Sequence, residues 1–449
     1  MFNTCRSHQV RRAVGTWLVR SVWVPMLMLV MMLGLVSCTP GGTPTPTSIS
    51  PTLTPTPPEP GAVATDTLTP VPTLAPTDTP MPEPTPVPTE TPSPRPTADL
   101  KAFRWKQAGL AGNNVLGMTL HAGGANLVLA AGMKEVWLSH YDYTQWDRLN
   151  VSLNVQGRIA SVAVGDARTM YITSHTGCAS GLPSARFRST DGGQTWQPMA
   201  GEAMYIAAAN GGIAYASTCN QVIKTTDAGA NWVPLPGTHI ENYDPHSLAV
   251  SPDGQKVFVA YSSEGGTGRI MRSTDGGSSW VEITPHNAPD GVLTAPSNLT
   301  YVPGSVGRPD DGGLYMTGYH TFWWLPVDSD DWQVVPYNDA SPFGGEYFFT
   351  ALYVDTTYTE EYNKPGPVIY AARSKPGESG QGEADERVFR STDKGKSWQA
   401  FGTGLEGRMV RSLVLAPHDT SVDPGMVETL LAATDDGVWA IPIPPPFPR

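Results

Sequence analysis

The sequence is poor in cysteine and in charged side chains. Its 449 residues include four cysteines, and 16% are charged. Four cysteines are too few for a disulfide-dense scaffold, and no two have the spacing of metal ligands, so we expect neither a metal site nor a cofactor. The net charge is −12 and no block of lysine and arginine occurs. A negatively charged chain without a basic patch does not attract the phosphate backbone of nucleic acids, which argues against nucleic-acid binding.

Residues 1–37 predict an export signal. A basic leader with four arginines and no acidic residue precedes an apolar run of 17 residues, Ser21 to Ser37. This run is shorter than the roughly 20 residues of a membrane span and suits a signal-peptide core. It ends at Leu35-Val36-Ser37-Cys38, which resembles the bacterial lipobox. The resemblance implies a lipoprotein anchored through lipid on Cys38 at the outer face of the membrane, in the cell envelope. An uncleaved anchor helix is the alternative.

Residues 38–98 predict a disordered tether. From Thr39 to Ala98 the chain has 19 prolines and 17 threonines among 60 residues and no apolar periodicity. Such a segment cannot bury enough apolar surface to offset its ordering entropy, and proline favours extended polyproline II. We expect a stalk that holds residues 99–449 away from the membrane, with or without glycans on its threonines.

Residues 99–449 contain an internal repeat. An eight-residue segment with hydroxyl, Asp, Gly and Trp at fixed spacing occurs four times. The copies are Ser189-Thr-Asp191-Gly-Gly193-Gln-Thr195-Trp196, Thr225-Thr-Asp227-Ala-Gly229-Ala-Asn231-Trp232, Ser273-Thr-Asp275-Gly-Gly277-Ser-Ser279-Trp280 and Ser391-Thr-Asp393-Lys-Gly395-Lys-Ser397-Trp398. Two further segments, 139–146 and 325–332, keep the spacing but lose the Asp and the Gly.

The repeated segment is similar to the Asp-box, or BNR repeat. Asp and Ser can accept backbone N–H groups in a tight turn, Gly provides positive φ, and Trp covers the adjoining strands. We therefore assign these aspartates to a structural role rather than to catalysis.

The pattern around each Asp-box predicts an all-β fold. Short apolar strands flank every box, giving four strands per unit, and strand triplets end near residues 139, 189, 225, 273, 325, 391 and 441. The last unit lacks a fourth strand, and the segment around Trp105 parallels the one around Trp398. We therefore predict a seven-bladed β-propeller of four-stranded antiparallel blades over about 102–445, closed by the N-terminal strand. Six or eight blades remain possible.

The predicted ligand-binding face lies opposite the boxes. In propellers, ligands commonly sit where the second-to-third-strand loops and the loops between blades surround the channel. The residues placed there are His175, Tyr243, His246, Tyr319, His320, Tyr347, Arg373, Arg408, Arg411 and the loop from Ser374 to Glu386. Each one taken alone is more commonly a solvated loop residue.

The resemblance allows two classes of function. Sialidases grip a carboxylate with three arginines, the first in an Arg-Ile-Pro stretch, which this sequence lacks. Xyloglucan-active glycosidases join two such propellers across a cleft, and this chain is half that length. The chain also resembles the propellers of photosystem II assembly factors and of the sortilin ectodomain, which bind polypeptides. We predict a monomeric binding module for a protein or polysaccharide partner, and an exo-acting glycoside hydrolase as the alternative.

Without the four leader arginines the net charge falls from −12 to −16, which favours basic or neutral partners.

A disulfide is predicted between Cys178 and Cys219. Both fall in second-to-third-strand loops of successive blades, on one face. Neighbouring blades can bring two Cα atoms within the roughly 4.4–6.8 Å that a bridge requires, and an exported protein meets an oxidising environment.

Overall fold

The structure is a computed structural model. It describes residues 100–120, 128–140, 142–151, 158–175, 178, 185–286, 293–304, 312–335, 342–343, 347–355, 367–375, 387–416 and 428–443. The predicted signal, Cys38 and the tether lie outside the described residues, as does 376–386 of the long loop. Within the described ranges no helix has the length and apolar character needed to cross a membrane.

The described residues form 28 strands and one 3₁₀ turn, Leu100–Ala102. The first strand, β1 (Lys106–Gly109), precedes blades 1 and 2. Those blades contain β2 (Gly117–Leu120), β3 (Val128–Ala131), β4 (Val136–Ser139), β5 (Trp146–Arg148), β6 (Arg158–Val164), β7 (Met170–His175), β8 (Ala185–Ser189) and β9 (Gln197–Met199). Blades 3 and 4 contain β10 (Ile206–Ala208), β11 (Ala214–Ser217), β12 (Val222–Thr225), β13 (Val233–Pro234), β14 (Asp244–Val250), β15 (Val257–Ser262), β16 (Gly268–Ser273) and β17 (Val281–Glu282).

The remaining strands complete the ring. They are β18 (Ser297–Val302), β19 (Gly313–Thr317), β20 (Phe322–Pro326), β21 (Gln333–Val335), β22 (Phe348–Asp355), β23 (Val368–Ser374), β24 (Val388–Ser391), β25 (Gln399–Ala400), β26 (Val410–Ala416), β27 (Thr429–Thr434) and β28 (Gly437–Pro442). They form seven four-stranded antiparallel sheets, so the predicted seven-bladed propeller is confirmed. Blades 1 to 6 take four consecutive strands each, from β2 to β25.

Blade 7 is closed by the start of the domain. Its sheet order is β1-β28-β27-β26, so the N-terminal strand is its outermost strand, as predicted. Trp105 lies beside β1, is 4% exposed and donates its indole N–H to the carbonyl of Phe401 in blade 6 at 3.1 Å. Pairing the two ends of the domain removes the free sheet edge that a linear array would expose.

The hydrophobic core lies between blades rather than in one central mass. Seven clusters of buried side chains occur, and each joins two neighbouring blades. The second strand of each blade supplies the largest share of them, because it is covered on both faces: β3 and β11 are buried throughout, and β7 is buried except at His175. Burial on both faces explains why these segments appear as continuous apolar runs in the sequence.

The Asp-box turns use one hydrogen-bond pattern. In blade 2 the Ser189 hydroxyl accepts the N–H of Gly193 at 2.8 Å and donates to Asp191 Oδ1 at 2.7 Å. Asp191 also accepts the backbone N–H of Thr195 at 2.9 Å and its hydroxyl at 2.5 Å. The same bonds recur around Asp227, Asp275 and Asp393, where Asn231, Ser279 and Ser397 are the donors.

The box glycine also packs against the preceding blade. Gly395 has φ +83°, and a Cβ built there would lie 2.5 Å from Phe322 Cδ1 of blade 5. Likewise, a Cβ at Gly229 would meet Met199 of blade 2, and one at Gly277 would meet Leu235 of blade 3. The boxes therefore fix both a hairpin and the distance between two blades, which spacing in the sequence does not reveal.

The two degenerate boxes have substitutes. In blade 1, Asp142 stands one position late, yet it accepts the N–H and hydroxyl of Thr144 at 3.0 and 2.6 Å. In blade 5 the turn instead carries ion pairs to blade 4: Asp328 with Lys256 at 2.9 Å, and Asp330 with Arg272 at 2.7 Å.

Candidate functional site

A cavity opens in the central channel on the face opposite the Asp-box turns. Its volume is about 570 Å³. Every blade except blade 4 contributes to the wall, mostly with the first residues of its innermost strand. We call this cavity the channel mouth, and its lining residues are Leu116, Arg158, Ile159, Ala160, His175, Tyr205, Ser297, Asn298, Phe348, Phe349, Thr350, Met409, Val410 and Arg411.

β-Bulges shape the wall of the channel mouth. In blades 2, 6 and 7 one extra residue interrupts the pairing of the innermost strand with its neighbour, and these residues are Ala160, Thr350 and Arg411. Blade 5 has the same kind of interruption next to Asn298, whose φ is +51°. A bulge redirects a side chain and bends its strand. All four residues line the cavity.

The channel mouth is positively charged. Arg158 is exposed and Arg411 is half-buried, and the two guanidinium groups interact, since Arg158 helps to lower the pKa of Arg411 after the larger effect of burial. Arg411 is held by its Nε–H, which donates to Asn114 Oδ1 at 3.1 Å. Burial first, and then the charge of Arg158, lower the pKa of His175. We therefore expect His175 to be neutral at neutral pH.

Aromatic rings flank these charges. The ring of Tyr319, 40% exposed, stacks on Phe348 with centroids 5.4 Å apart and planes 7° apart. Across the mouth, Tyr205 packs edge-on against His246 at 6.1 Å. His246 donates its Nε2–H to the carbonyl of Pro296 at 2.6 Å and has a pKa lowered by burial. His246 therefore positions Tyr205 and the loop into blade 5.

Other predicted rim residues hold loops on this face. His320 Nδ1 lies 2.7 Å from the Tyr347 carbonyl and 3.1 Å from that of Phe343, so it ties the loop between blades 5 and 6. Arg373 lies over the Tyr347 ring at 4.0 Å and donates to the Pro342 carbonyl at 2.6 Å.

Two more predicted residues lie away from the cavity wall. Tyr243 carries the guanidinium of Arg269 over its ring at 4.7 Å. Arg408 pairs with Asp436 at 3.3 Å and covers Trp439 at 4.1 Å. Of the predicted rim, the structure thus places only His175 and Arg411 in the lining.

Cys178 and Cys219 are joined by a disulfide, with Cα atoms 5.4 Å apart. The bridge links second-to-third-strand loops of blades 2 and 3, the pairing that the sequence predicts. It therefore restrains two loops on the face that carries His175 and Tyr205.

Comparison with known proteins agrees with this architecture. The family described as BNR/Asp-box repeat matches residues 187–198, which include the box turn of blade 2. This chain is a BNR-type β-propeller.

The propeller has distant relatives among xyloglucanases. It is 26% identical over 316 residues to xyloglucanase Xgh74A of Acetivibrio thermocellus, covering 59% of this chain and 34% of that one. A Paenibacillus xyloglucanase is 24% identical over 308 residues, with 59% and 28% covered. The alignments thus span about a third of the length of these enzymes.

Similar folds occur among solved structures of different proteins. YCF48 bound to D1 peptide superposes with a TM-score of 0.53 at 17% identity, covering 78% of this chain and 99% of that one. The GH74 xyloglucanase from Xanthomonas campestris also gives 0.53 at 17% identity, with 75% and 53% covered. Identities this low show a shared fold.

Two smaller cavities of the propeller lie between blades. One of about 260 Å³ between blades 4 and 5 is lined by Lys256 and Arg272, whose charges are already paired with the degenerate box of blade 5. Another of about 530 Å³ lies between blades 7 and 1, beside Met133 and Trp137. The channel mouth differs from both because it gathers residues from six blades.

The described lining of the channel mouth contains no Asp or Glu. The carboxylates of Glu202 and Asp435 act on His175 and Arg411 electrostatically, from outside that lining. Among the described residues no group of three or more His, Cys, Asp or Glu is placed to hold a metal ion. The arrangement can therefore orient and bind a ligand through cations and aromatic rings.

Sequence reasoning missed most of the lining. Arg158, Tyr205, Asn298, Phe348 and Met409 carry no motif, and each occupies the first residues of a strand or the residue before it. The usable signal is position alone: the residues just before and within the start of each innermost strand face the channel.

Proposed function

We propose that this propeller is a binding module that captures its ligand at the channel mouth and does not hydrolyse it. The observation that carries the proposal is the composition of the cavity: two arginines and several aromatic rings converge there, and its described lining has no carboxylate. A concave pocket with a few convergent polar groups is the usual form of a ligand site.

A glycoside hydrolase is the second candidate. The identity to xyloglucanases favours it. Such enzymes generally need two carboxyl groups roughly 5–10 Å apart, flanking the scissile bond. The described lining of the channel mouth contains no such pair.

We place the module in the cell envelope, lipid-anchored through Cys38 and raised on the Pro/Thr-rich tether. The basic leader, the apolar run and the lipobox-like end support this placement. The Cys178–Cys219 disulfide supports it as well, because such bridges persist mainly in oxidising compartments. A stalk of this kind would let the propeller bind ligands at a distance from the membrane.

The test combines binding with product release. The full chain is titrated against xyloglucan, envelope polysaccharides and peptides, and reducing ends are measured in parallel. Ala160→Trp fills the channel mouth, and Ala167→Trp places the same ring on an exposed position of blade 2 at the box face. We expect binding without product release, lost in Ala160→Trp and kept in Ala167→Trp.

Two outcomes would contradict the proposal. Release of reducing ends that disappears with Glu202→Gln or Asp435→Asn would identify a hydrolase. Binding that survives Ala160→Trp and fails in Ala167→Trp would place the site on the Asp-box face.

A further inference from the structure

The channel mouth has the opposite charge to the chain around it. The chain carries a net charge of −12. Within the described residues, however, the lining has two arginines, one histidine and no acidic side chain. The whole-chain charge led us to expect basic or neutral partners, whereas the charged side chains of the lining itself favour an anion. The carboxylates of Glu202 and Asp435 act on this site from outside the lining. Local charge decides which group a pocket accepts, because exposed charges more than about a Debye length away are screened.

Arg411 is prepared for an anionic partner. The bulge in β26 directs it into the channel, and its Nε–H is already fixed on Asn114 Oδ1. Among the described residues, its two terminal nitrogens donate to no protein acceptor. Asp435 favours the charged form of Arg411 without a hydrogen bond to it, and its Oδ1 accepts the N–H of Met409 at 3.0 Å. When Nε–H is already bonded, the N–H groups of Nη1 and Nη2 remain and point outward side by side. This pair can donate two parallel hydrogen bonds to one carboxylate.

Arg158 supplies the second cation. It begins β6, pairs across the ladder with His175, and its side chain has no hydrogen bond or ion pair in the described part of the chain. Because blade 1 alone separates blades 2 and 7, Arg158 and Arg411 flank the same side of the mouth, on either side of Leu116. The charge of Arg158 disfavours the charged form of Arg411, and an anion bound between the two would offset that repulsion.

The aromatic residues indicate what carries the anion. Phe348 lines the cavity and supports the exposed ring of Tyr319, and Tyr205 lies on the same wall as Arg158. An apolar ring at Phe348 suits the apolar face of a pyranose ring, and the polar groups of Tyr205, Ser297 and Asn298 suit its hydroxyl groups.

We propose that the channel mouth binds the carboxylate of an acidic sugar, a uronic acid unit of a polysaccharide, between Arg158 and Arg411. The sugar ring lies between Phe348 and Tyr205, which line opposite sides of the mouth. This inference rests on the proposed binding function and names its ligand class. It requires no bond to form or break.

The test is calorimetric titration of the full chain with trigalacturonate, and with galactotriose as the neutral sugar of the same length. We expect trigalacturonate to bind at least tenfold more tightly than galactotriose. Arg158→Gln and Arg411→Gln should each weaken trigalacturonate about tenfold, and the double variant should abolish measurable binding. The matched control is Arg104→Gln with Arg168→Gln, which removes two exposed arginines away from the channel mouth and should leave the affinity unchanged.

Other results would overturn the inference in distinguishable ways. Equal affinity for both sugars, blocked by Ala160→Trp, would leave the binding function in place and refute the carboxylate site. Trigalacturonate binding that both Ala160→Trp and the double arginine variant retain would refute the site and remove its support for the proposed function. Binding of a peptide with a free C-terminal carboxylate, but of neither sugar, would assign the site to a polypeptide partner instead.

Discussion

At the scale of single residues, the box glycines contribute to the contact between blades, whereas the box aspartates hold the turn itself. Each has a positive φ, and at Gly229, Gly277 and Gly395 a side chain of the preceding blade also occupies the space that a Cβ would need. Any side chain there would meet both a strained backbone and an occupied space.

Gly395→Ala should therefore destabilise the fold more than a turn glycine with open space around it. Gly211 has φ +70° and no atom within 4 Å of a built Cβ, so Gly211→Ala isolates the backbone penalty. We expect Gly211→Ala to lower the free energy of unfolding by about 1 kcal/mol, because it adds only left-handed backbone strain. Gly395→Ala should lower it by about 3 kcal/mol, because overpacking against Phe322 adds to that strain. Urea unfolding of both variants measures the difference. Equal losses would show that blade contact at the glycine is unimportant.

The box carboxylates should make the fold sensitive to acid. Hydrogen bonds from the Thr195 side chain, the Thr195 N–H and Ser189 lower the pKa of Asp191 to about 2 from 3.8. A carboxyl group with a lowered folded pKa stabilises the native state above pH 3.8, and that contribution is lost as the pH falls through about 2.

The measurement is the free energy of unfolding of wild type, Asp191→Asn and the exposed control Glu264→Gln, from pH 5 down to pH 2. The wild type should lose more stability across this window than Asp191→Asn. If the free energy of unfolding falls with pH equally in wild type and in Asp191→Asn, the ionised carboxylate of Asp191 does not stabilise the fold. The control should follow the wild type.

At the scale of elements, the bulges place the site. The bulge in β14 adds His246, which turns into the loop before blade 5 and bonds to the Pro296 carbonyl. The bulge in β26 instead delivers Arg411 to the channel. A bulge thus anchors a loop in one blade and places a side chain in the cavity lining in another.

His246→Ala should destabilise the protein by about 1–3 kcal/mol, because it leaves a part-buried carbonyl without its donor. His239→Ala is the matched control, since His239 bonds the Asn220 carbonyl at 3.0 Å but is exposed, and should cost under about 0.5 kcal/mol. Burial lowers the pKa of His246, so below about pH 6.5 the unfolded chain takes up the proton first and stability falls. Chemical unfolding at pH 7.5 and 5.0 should show a smaller pH effect in His246→Ala than in wild type.

The disulfide should contribute through the unfolded chain. It closes a loop with a sequence separation of 41, for which chain-entropy reasoning gives about 4 kcal/mol. Replacing both Cys178 and Cys219 by Ser should lower the unfolding free energy by up to about that amount. Wild type treated with reductant should match the double variant, whereas the double variant itself should not respond to reductant. Two free thiols in the oxidised, unfolded wild-type domain would refute the bridge.

The sequence predicts repetition well and irregularity poorly. Blade number, strand ends and ring closure follow from Asp-boxes and apolar runs, because each box has a fixed spacing and a fixed place in its blade. One inserted strand residue has no compositional signature, so the bulges at Ala160 and Arg411 could not be anticipated. Asp142 was missed for the same reason, since a carboxylate displaced by one residue still reaches its donors.

At the scale of the whole molecule, stability depends on closing the ring. The clusters join blades in pairs, and blade 7 is completed only by β1 with Trp105 beside it. No blade buries its apolar faces alone, so we expect the ring to unfold as one unit.

Two truncations test this dependence. Removing residues 1–98 should leave the melting temperature unchanged, since the tether has no predicted core. Removing residues 1–110 deletes β1 and Trp105, which should abolish cooperative melting and expose the edge of β28 to aggregation. A cooperative, soluble 111–449 fragment would show that the closing strand is dispensable.

Hydrogen–deuterium exchange of the full chain with its bound ligand tests the central claim most directly. Our account predicts protection in peptides covering 158–161, 297–300 and 409–412, the bulged ends of the innermost strands around the channel mouth. The box turns at 189–196, 225–232, 273–280 and 391–398 should exchange as they do without ligand. Protection confined to those turns, with an unchanged channel mouth, would contradict the account and put the binding surface on the opposite face.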